Sequence, residues 1–195
     1  MESLDPNEVT RHVGAGTLAV VRNTQRSIDP LVIGAGARIK VNANIGTSSS
    51  RASMDDEIHK MHVAVEHGAD AIMDLSTAGD LRGIRAALLE QCPVPIGTVP
   101  MYEMAVVAQQ KSKSILELTA EEMFDVVRRH CAEGVDFLTI HCGVTRQTVA
   151  RFKEVARPGG AVSRGGTIMT EWIALNEREN PFYERYDDLM DILAE

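Results

Sequence analysis

Aromatic residues are scarce in this sequence. Phe, Trp and Tyr together make up 4% of its 195 residues. A buried core must therefore be assembled from aliphatic side chains and from the 9 methionines, whose flexible thioethers fill irregular gaps. Cysteine is scarcer still. Cys92, Cys131 and Cys142 make no CxxC pair and no disulfide-like spacing, which excludes a disulfide scaffold and points to a reducing, cytoplasmic compartment. Long apolar runs are missing. Nothing approaches the roughly 18 residues of a membrane span, and the acidic stretch over residues 1–10 lacks the apolar centre of a secretory leader. Positive charge is in deficit, with 20 Lys and Arg against 28 Asp and Glu and a formal net charge of −8. That balance argues against nucleic acid and against an anionic membrane as partners. It leaves room for a small anionic ligand, because converging backbone N–H groups hold phosphate whatever the net charge.

What the sequence does contain is alternation. Residues 39–45 (IKVNANI) are strand-like and end at Gly46. Ser53 with Asp56 reads as a helix start, and the helical pattern runs to about residue 67. Short apolar strands follow at 71–76, 94–99, 135–141 and 161–163. Helical patterns separate them at 81–91, 101–110, 119–133 and 145–156, the last broken by the PGG at 158–160. Two more helical stretches, 169–180 and 182–195, are split by Pro181. Short strands alternating with helices specify a parallel sheet. Five strands suit either an open doubly wound sheet or most of a closed barrel, and a terminal helical pattern without cap or trailing loop favours the barrel. The expected fold is α/β, a (β/α)8 TIM-type barrel of which this chain supplies roughly the first five strands. Residues 1–38 are an N-terminal segment and residues 39–195 the partial barrel.

In such folds the ligand lies at the C-terminal edge of the strands. Polar or unusual residues mark that edge: Asn44, then Met73, Asp74 and Ser76, then Tyr102, then His141, then Ser163-Arg164-Gly165-Gly166. The last group stands between a strand and a helix. Its glycines allow close backbone approach, a helix start offers N–H groups to an anion, and Arg164 can add a two-pronged contact. A plain glycine turn is the alternative, and phosphate binding is the preferred reading. His141 is either an acid–base or hydrogen-bonding group or a satisfied core histidine. Asn44 either reads a heterocycle or caps the turn before Gly46. Tyr102 contacts ligand or covers the mouth, Met73 suits a core better than a ligand contact, and Asp74 reads as a buried structural carboxylate. His59, His62 and His67 read as a solvated helix face, and Cys142 as a small buried residue. The GAG at 34–36 lacks the third glycine of a dinucleotide fingerprint. No residue is assigned as catalytic or as a metal ligand.

Taken in order, VNANIG (41–46), MDLST (73–77), PIGTVP (95–100) followed by Tyr102, TIH (139–141) and VSRGG (162–166) resemble the phosphomethylpyrimidine synthase family, from about residue 36 onward. The resemblance implies a radical lyase that rearranges 5-aminoimidazole ribonucleotide into hydroxymethylpyrimidine phosphate for thiamin. It implies a [4Fe-4S] cluster that cleaves S-adenosylmethionine reductively, and a divalent metal such as zinc, with the barrel orienting the reactants. It also implies that Asn44, Met73, Tyr102, His141, Ser163, Arg164 and Gly165 hold the ribonucleotide, nearly the positions that the strand ends select. An incomplete barrel calls in addition for a homodimer or a partner chain that covers its edge.

The departures from the family are specific. Its DGLRP segment, its metal-binding glutamate and two histidines, and its CxxCxxxxC cluster motif have no counterpart in this sequence. Its segment before NANIG is longer. The expectation is a chain inactive by itself. HCG at 141–143 stands where the thiamin enzymes carry HAG, and resembles the paralogues that make 5-hydroxybenzimidazole from the same ribonucleotide. A non-catalytic ribonucleotide-binding fragment, or half of a split barrel, is the alternative from another class.

Overall fold

The structure, a computed structural model, describes residues 4–155 and 160–194. The chain divides into two compact units, Met1–Thr98 with Gly134–Phe137 and Val99–Glu133 with Leu138–Glu195.

In the first unit, helix α1 (Pro6–Gly14) begins after Asp5, whose side chain accepts the N–H of Asn7 at 2.7 Å. Strands β1 (Leu18–Val21) and β2 (Leu31–Gly34) then pair antiparallel. The patterning of residues 1–38 foresees neither α1 nor this hairpin. The main sheet follows, with β3 (Asn42–Ile45), helix α2 (Met54–Glu66), β4 (Ala71–Asp74), helix α3 (Leu81–Gln91) and β5 (Ile96–Thr98). Strand β6 (Phe137–Leu138) lies beyond β5, so the order is β3-β4-β5-β6. Both β3–β4 and β4–β5 are parallel, with Asn44 beside Met73 and Met73 beside Gly97. The α/β class with a parallel sheet is thus as expected.

Side chains alternate across a sheet, and the alternation assigns the two faces. Ile45, Ile72 and Ile96 pack with Met61 of α2 and with Ile84 and Leu88 of α3 in one apolar cluster. The opposite face therefore carries Asn44, Met73 and Gly97. A Cβ on Gly97 would lie 2.2 Å from the Phe137 ring, so the missing side chain is what makes room for that ring. A buried ion pair ties the loop after β1 to this sheet. Asp136 accepts the Arg26 guanidinium and also the N–H of Ile96 at 2.7 Å. Arg26 in turn reaches the Cys92 carbonyl at 2.6 Å, and Asn23 reaches the Gly134 carbonyl at 2.9 Å.

The second unit is helical: α4 (Pro100–Gln110), α5 (Ala120–Ala132), α6 (Arg146–Glu154), α7 (Arg164–Asn176), α8 (Pro181–Glu184) and α9 (Tyr186–Ala194). Its buried side chains include Met101, Met104, Met123, Met169, Phe124, Trp172, Phe182 and Leu189. The core is rich in methionine, as the shortage of aromatics requires. Trp172 satisfies its indole N–H on the Leu118 carbonyl at 3.0 Å.

Helix α5 starts where local chemistry dictates. Thr119 Oγ1 accepts the N–H of Glu122, and the Glu122 carboxylate accepts that of Thr119, a reciprocal capping box. Losing such a cap costs about 1 kcal/mol. Thr119→Ala is expected to lose that much in urea unfolding at pH 7. The Lys111 ammonium, 2.7 Å away, and then the Thr119 N–H hold the Glu122 carboxyl down to about 2, against an ordinary 4.5. A carboxyl lowered on folding stabilises above its unfolded value. Glu122's contribution is therefore complete above pH 4.5 and is lost as pH falls through about 2.

Two expectations fail. Residues 161–163 form no strand, although Ser163 is extended at φ −89° and ψ 123°. Val162 is 78% exposed, and extended backbone without a neighbouring strand to bond makes no ladder. The sheet therefore holds four strands, not five, among the described residues. Helix α7 also starts at Arg164 rather than near residue 169, because the Ser163 side chain caps it by accepting the Gly166 N–H at 3.2 Å. The expected break at 158–160 lies mostly outside the described residues, only Gly160 being among them. Among the described residues no helix is long and apolar enough to cross a membrane.

Candidate ligand-binding site

The residues singled out at strand ends fall into two sets, one in each unit. In the first unit Asn44 and Met73 are cross-strand neighbours on the face turned away from α2 and α3. Asn44 is exposed, with the Asn42 amide 3.5 Å from its Oδ1, while Met73 is buried. The turn after Asn44 is built tightly. Gly46 has φ 149°, and a Cβ there would stand 2.6 Å from the Leu75 carbonyl carbon. Its N–H donates to the buried Glu57 carboxylate at 2.8 Å. Thr47 donates its N–H to Ser76 Oγ at 3.1 Å and its hydroxyl to the Ala78 carbonyl at 2.6 Å. Asp74 is buried and accepts the Ser76 N–H at 2.9 Å, and that burial pushes its carboxyl above the usual range. Glu57 lies in the acidic first turn of α2, and nothing in its sequence context marks it as the residue that holds the turn beside Asn44.

In the second unit Tyr102, His141, Ser163, Arg164 and Gly165 come together at the start of α7. The Arg164 guanidinium carbon sits 5.4 Å from the Tyr102 ring centroid, and Arg164 itself is exposed. His141 Nε2 is hydrogen-bonded to Ser163 Oγ at 3.0 Å, and the same hydroxyl oxygen caps α7. His141 Nδ1 is shielded from solvent and has no partner among the described residues. Burial lowers the imidazole pKa below the ordinary 6.5, so the ring is neutral at pH 7. Gly165 is why the ring fits: a Cβ there would meet His141 Cε1 at 2.2 Å and both ring nitrogens within 2.9 Å. The expected value of this glycine, close approach of backbone to a ligand, is joined by another, space for the imidazole.

The first N–H groups of any helix lack carbonyl partners within it. At α7 the cap takes up that of Gly166, and those before it are the ones a helix start offers to an anion. With Arg164 alongside, this corner is suited to a phosphate. His59, His62 and His67 are exposed on or just beyond α2, as read from the sequence.

A cluster or a metal finds no such fit. Cys92 is buried, and burial pushes the thiols of both Cys92 and Cys142 up, the reverse of what a thiolate ligand needs. Among the described residues no three His, Cys, Asp or Glu side chains gather. The described residues do not fit an iron–sulfur cluster or zinc.

Comparison with known proteins gives consistent results. The model of the Radical SAM ThiC family matches residues 1–195. The chain is 44% identical over 191 residues to phosphomethylpyrimidine synthase of Thermodesulfovibrio yellowstonii, covering 98% of this chain and 45% of that protein. It is 44% identical over 195 residues to phosphomethylpyrimidine synthase of Thermotoga neapolitana, covering 100% and 46%. It is likewise 44% identical over 196 residues to that of Pyrococcus furiosus, again covering 100% and 46%. The chain thus spans a little under half the length of these relatives.

Proposed function

Because the chain belongs to the Radical SAM ThiC family, we propose that it forms the ribonucleotide-binding part of a lyase that converts 5-aminoimidazole ribonucleotide to hydroxymethylpyrimidine phosphate in thiamin biosynthesis. The observation that carries this reading is the meeting of His141, Ser163, Arg164 and Gly165 at the start of α7. The parallel succession β3-β4-β5-β6 matches consecutive strands of a (β/α)8 barrel, and we read the sheet as the opening of one.

In this proposal the substrate phosphate sits at the α7 start. Backbone N–H groups receive it, and Arg164 leaves the Tyr102 face to pair with it. His141, neutral through burial, serves as a hydrogen-bonding group rather than as a cation. Asn44 can both donate to and accept from a heterocycle, and Met73 offers it an apolar contact. The family's iron–sulfur cluster and S-adenosylmethionine supply the radical when bound. No residue of this chain is given a role toward the cluster, whose ligands we assign to the remaining length of the relatives.

Calorimetry with 5-aminoimidazole ribonucleotide tests the pocket. Arg164→Ala is expected to weaken binding by ~1.5–3 kcal/mol, the scale of a lost hydrogen bond to a charged group. Asn44→Ala should cost less, since its bonds are neutral. Parent-like binding by both variants would sink the assignment.

A further inference from the structure

Asn180 is 0% exposed, and no role described above uses it. It is the N-cap of α8, where its Oδ1 accepts the Phe182 N–H at 3.0 Å. A cap alone would be served as well by aspartate or serine. The other end of the side chain does something neither of those can do. Its amide group donates to the carbonyls of His141 and Val144, at 2.8 Å each, and approaches that of Cys142 at 3.4 Å. Only an amide offers two donors beside an acceptor in so short a side chain. Glu179 extends the same grip, its Oε1 accepting the N–H of Arg146 at 3.0 Å and that of Asn180 at 2.8 Å. The turn that leads from His141 into α6 is thus held by backbone bonds to two adjacent side chains.

The contacts that fix the His141 ring against α7 are few. The ring is bounded by Gly165 and bonded to Ser163, and both of those contacts lie at the far end of the side chain. The direction in which the Cα–Cβ bond leaves the chain is set by the peptide whose carbonyl Asn180 holds. We infer that Asn180 is a positioning residue, acting through the 141–144 turn to hold the His141 imidazole against the start of α7. The inference rests on the reading of His141 as a ribonucleotide contact.

The test uses the 195-residue chain with Asn180→Ser and Asn180→Asp. Both keep an oxygen for the Phe182 N–H and lose the two donors. Asn176→Ala is the control, since Asn176 donates to the Leu116 and Trp172 carbonyls at 3.0 and 2.9 Å in the same unit and makes no bond to the 141–144 turn. NMR titration of the His141 ring reads its placement, and calorimetry reads ribonucleotide binding. In the Asn180 variants the His141 midpoint is expected to rise from its burial-lowered value toward 6.5. Binding should weaken by about threefold to tenfold, the scale of one neutral hydrogen bond. Asn176→Ala should leave both readings as in the parent. An unmoved His141 titration in a folded Asn180 variant overturns the inference. So does loss of the folded state in both variants, because Asn180 would then be holding the unit and not the histidine. If the parent itself fails to bind the ribonucleotide, the pocket reading falls, and the titration alone decides for or against the clamp.

Discussion

Replacing Gly165 with alanine is expected to weaken ribonucleotide binding by about tenfold, the scale of a lost neutral hydrogen bond, while the fold loses about 1–2 kcal/mol. The new Cβ would stand 2.2 Å from His141 Cε1 and within 2.9 Å of both ring nitrogens. No such contact survives, so one partner has to move. Gly165 is backbone-fixed in the first turn of α7, and the imidazole is the end of a side chain, so the ring is what moves. Swinging it away costs one hydrogen bond to Ser163 and part of the ring's burial, a loss on the scale of about 1–2 kcal/mol. Binding suffers as well, because the proposed substrate contact is then misplaced. Gly166→Ala is the matched control. A Cβ there meets Ser163 at 3.4 Å and His141 Cδ2 at 3.8 Å, ordinary van der Waals distances, and binding should stay close to the parent's. Calorimetry and urea unfolding on the two variants separate the cases. Tight binding by Gly165→Ala would show that the ring's place against α7 does not matter to the ligand.

Asp136→Ala is expected to cost about 3–5 kcal/mol in urea unfolding, the scale for removing one member of a buried ion pair. Against a domain's usual total of about 5–15 kcal/mol that is a large share. The carboxylate serves two donors at once. Without it the Arg26 guanidinium, on a side chain only 10% exposed, keeps the Cys92 carbonyl but has no counter-charge, and the Ile96 N–H in β5 has no acceptor. Arg26→Ala in the same background should restore part of the loss, since it removes the stranded charge. It cannot restore the Ile96 bond. A cost below about 1 kcal/mol for Asp136→Ala would mean that water replaces the carboxylate freely and that the pair holds nothing.

The sequence was legible where a decision was local. Helix starts at Ser53 and Thr119 carry their caps in the adjacent residues, and α2 and α5 begin there. The apolar runs at 71–76 and 94–99 became strands because neighbours on both sides bond to them. The AVS at 161–163 has a similar look and no such neighbour, and strand formation depends on a partner that no local pattern announces. The β1–β2 hairpin is two four-residue strands separated by a nine-residue loop, too short and too far apart to register as periodicity. Arg26 and Asp136 are 110 residues apart, and neither has a distinguishing context. At the candidate site, Asn44, Met73 and Tyr102 were picked out by strand ends that the fold does form, whereas the strand expected before Ser163 is not there. The residues that hold the site were not picked out. Glu57 reads as one more charge in an acidic first turn, and Asn180 as an ordinary cap before a proline, because the carbonyls it serves lie 36 to 39 residues earlier.

The first unit is interrupted in sequence, closing only when Gly134–Phe137 joins Met1–Thr98. That order matters while the protein is being made. At 5–20 residues per second, the stretch from Val99 to Phe137 takes a ribosome roughly 2–8 s to synthesise. The β1–β2 hairpin, by contrast, can close in about 1–10 μs. For those seconds β5 has one bonded edge and one bare edge, Ile96 has no carboxylate to receive its N–H, and Arg26 has no counter-charge. A bare edge of this kind pairs readily with strands of other chains. The stage at which this molecule is most exposed to mispairing is therefore the nascent chain between Thr98 and Phe137. Slow codons in that stretch would lengthen the exposure, and an early-acting chaperone would have its natural target there.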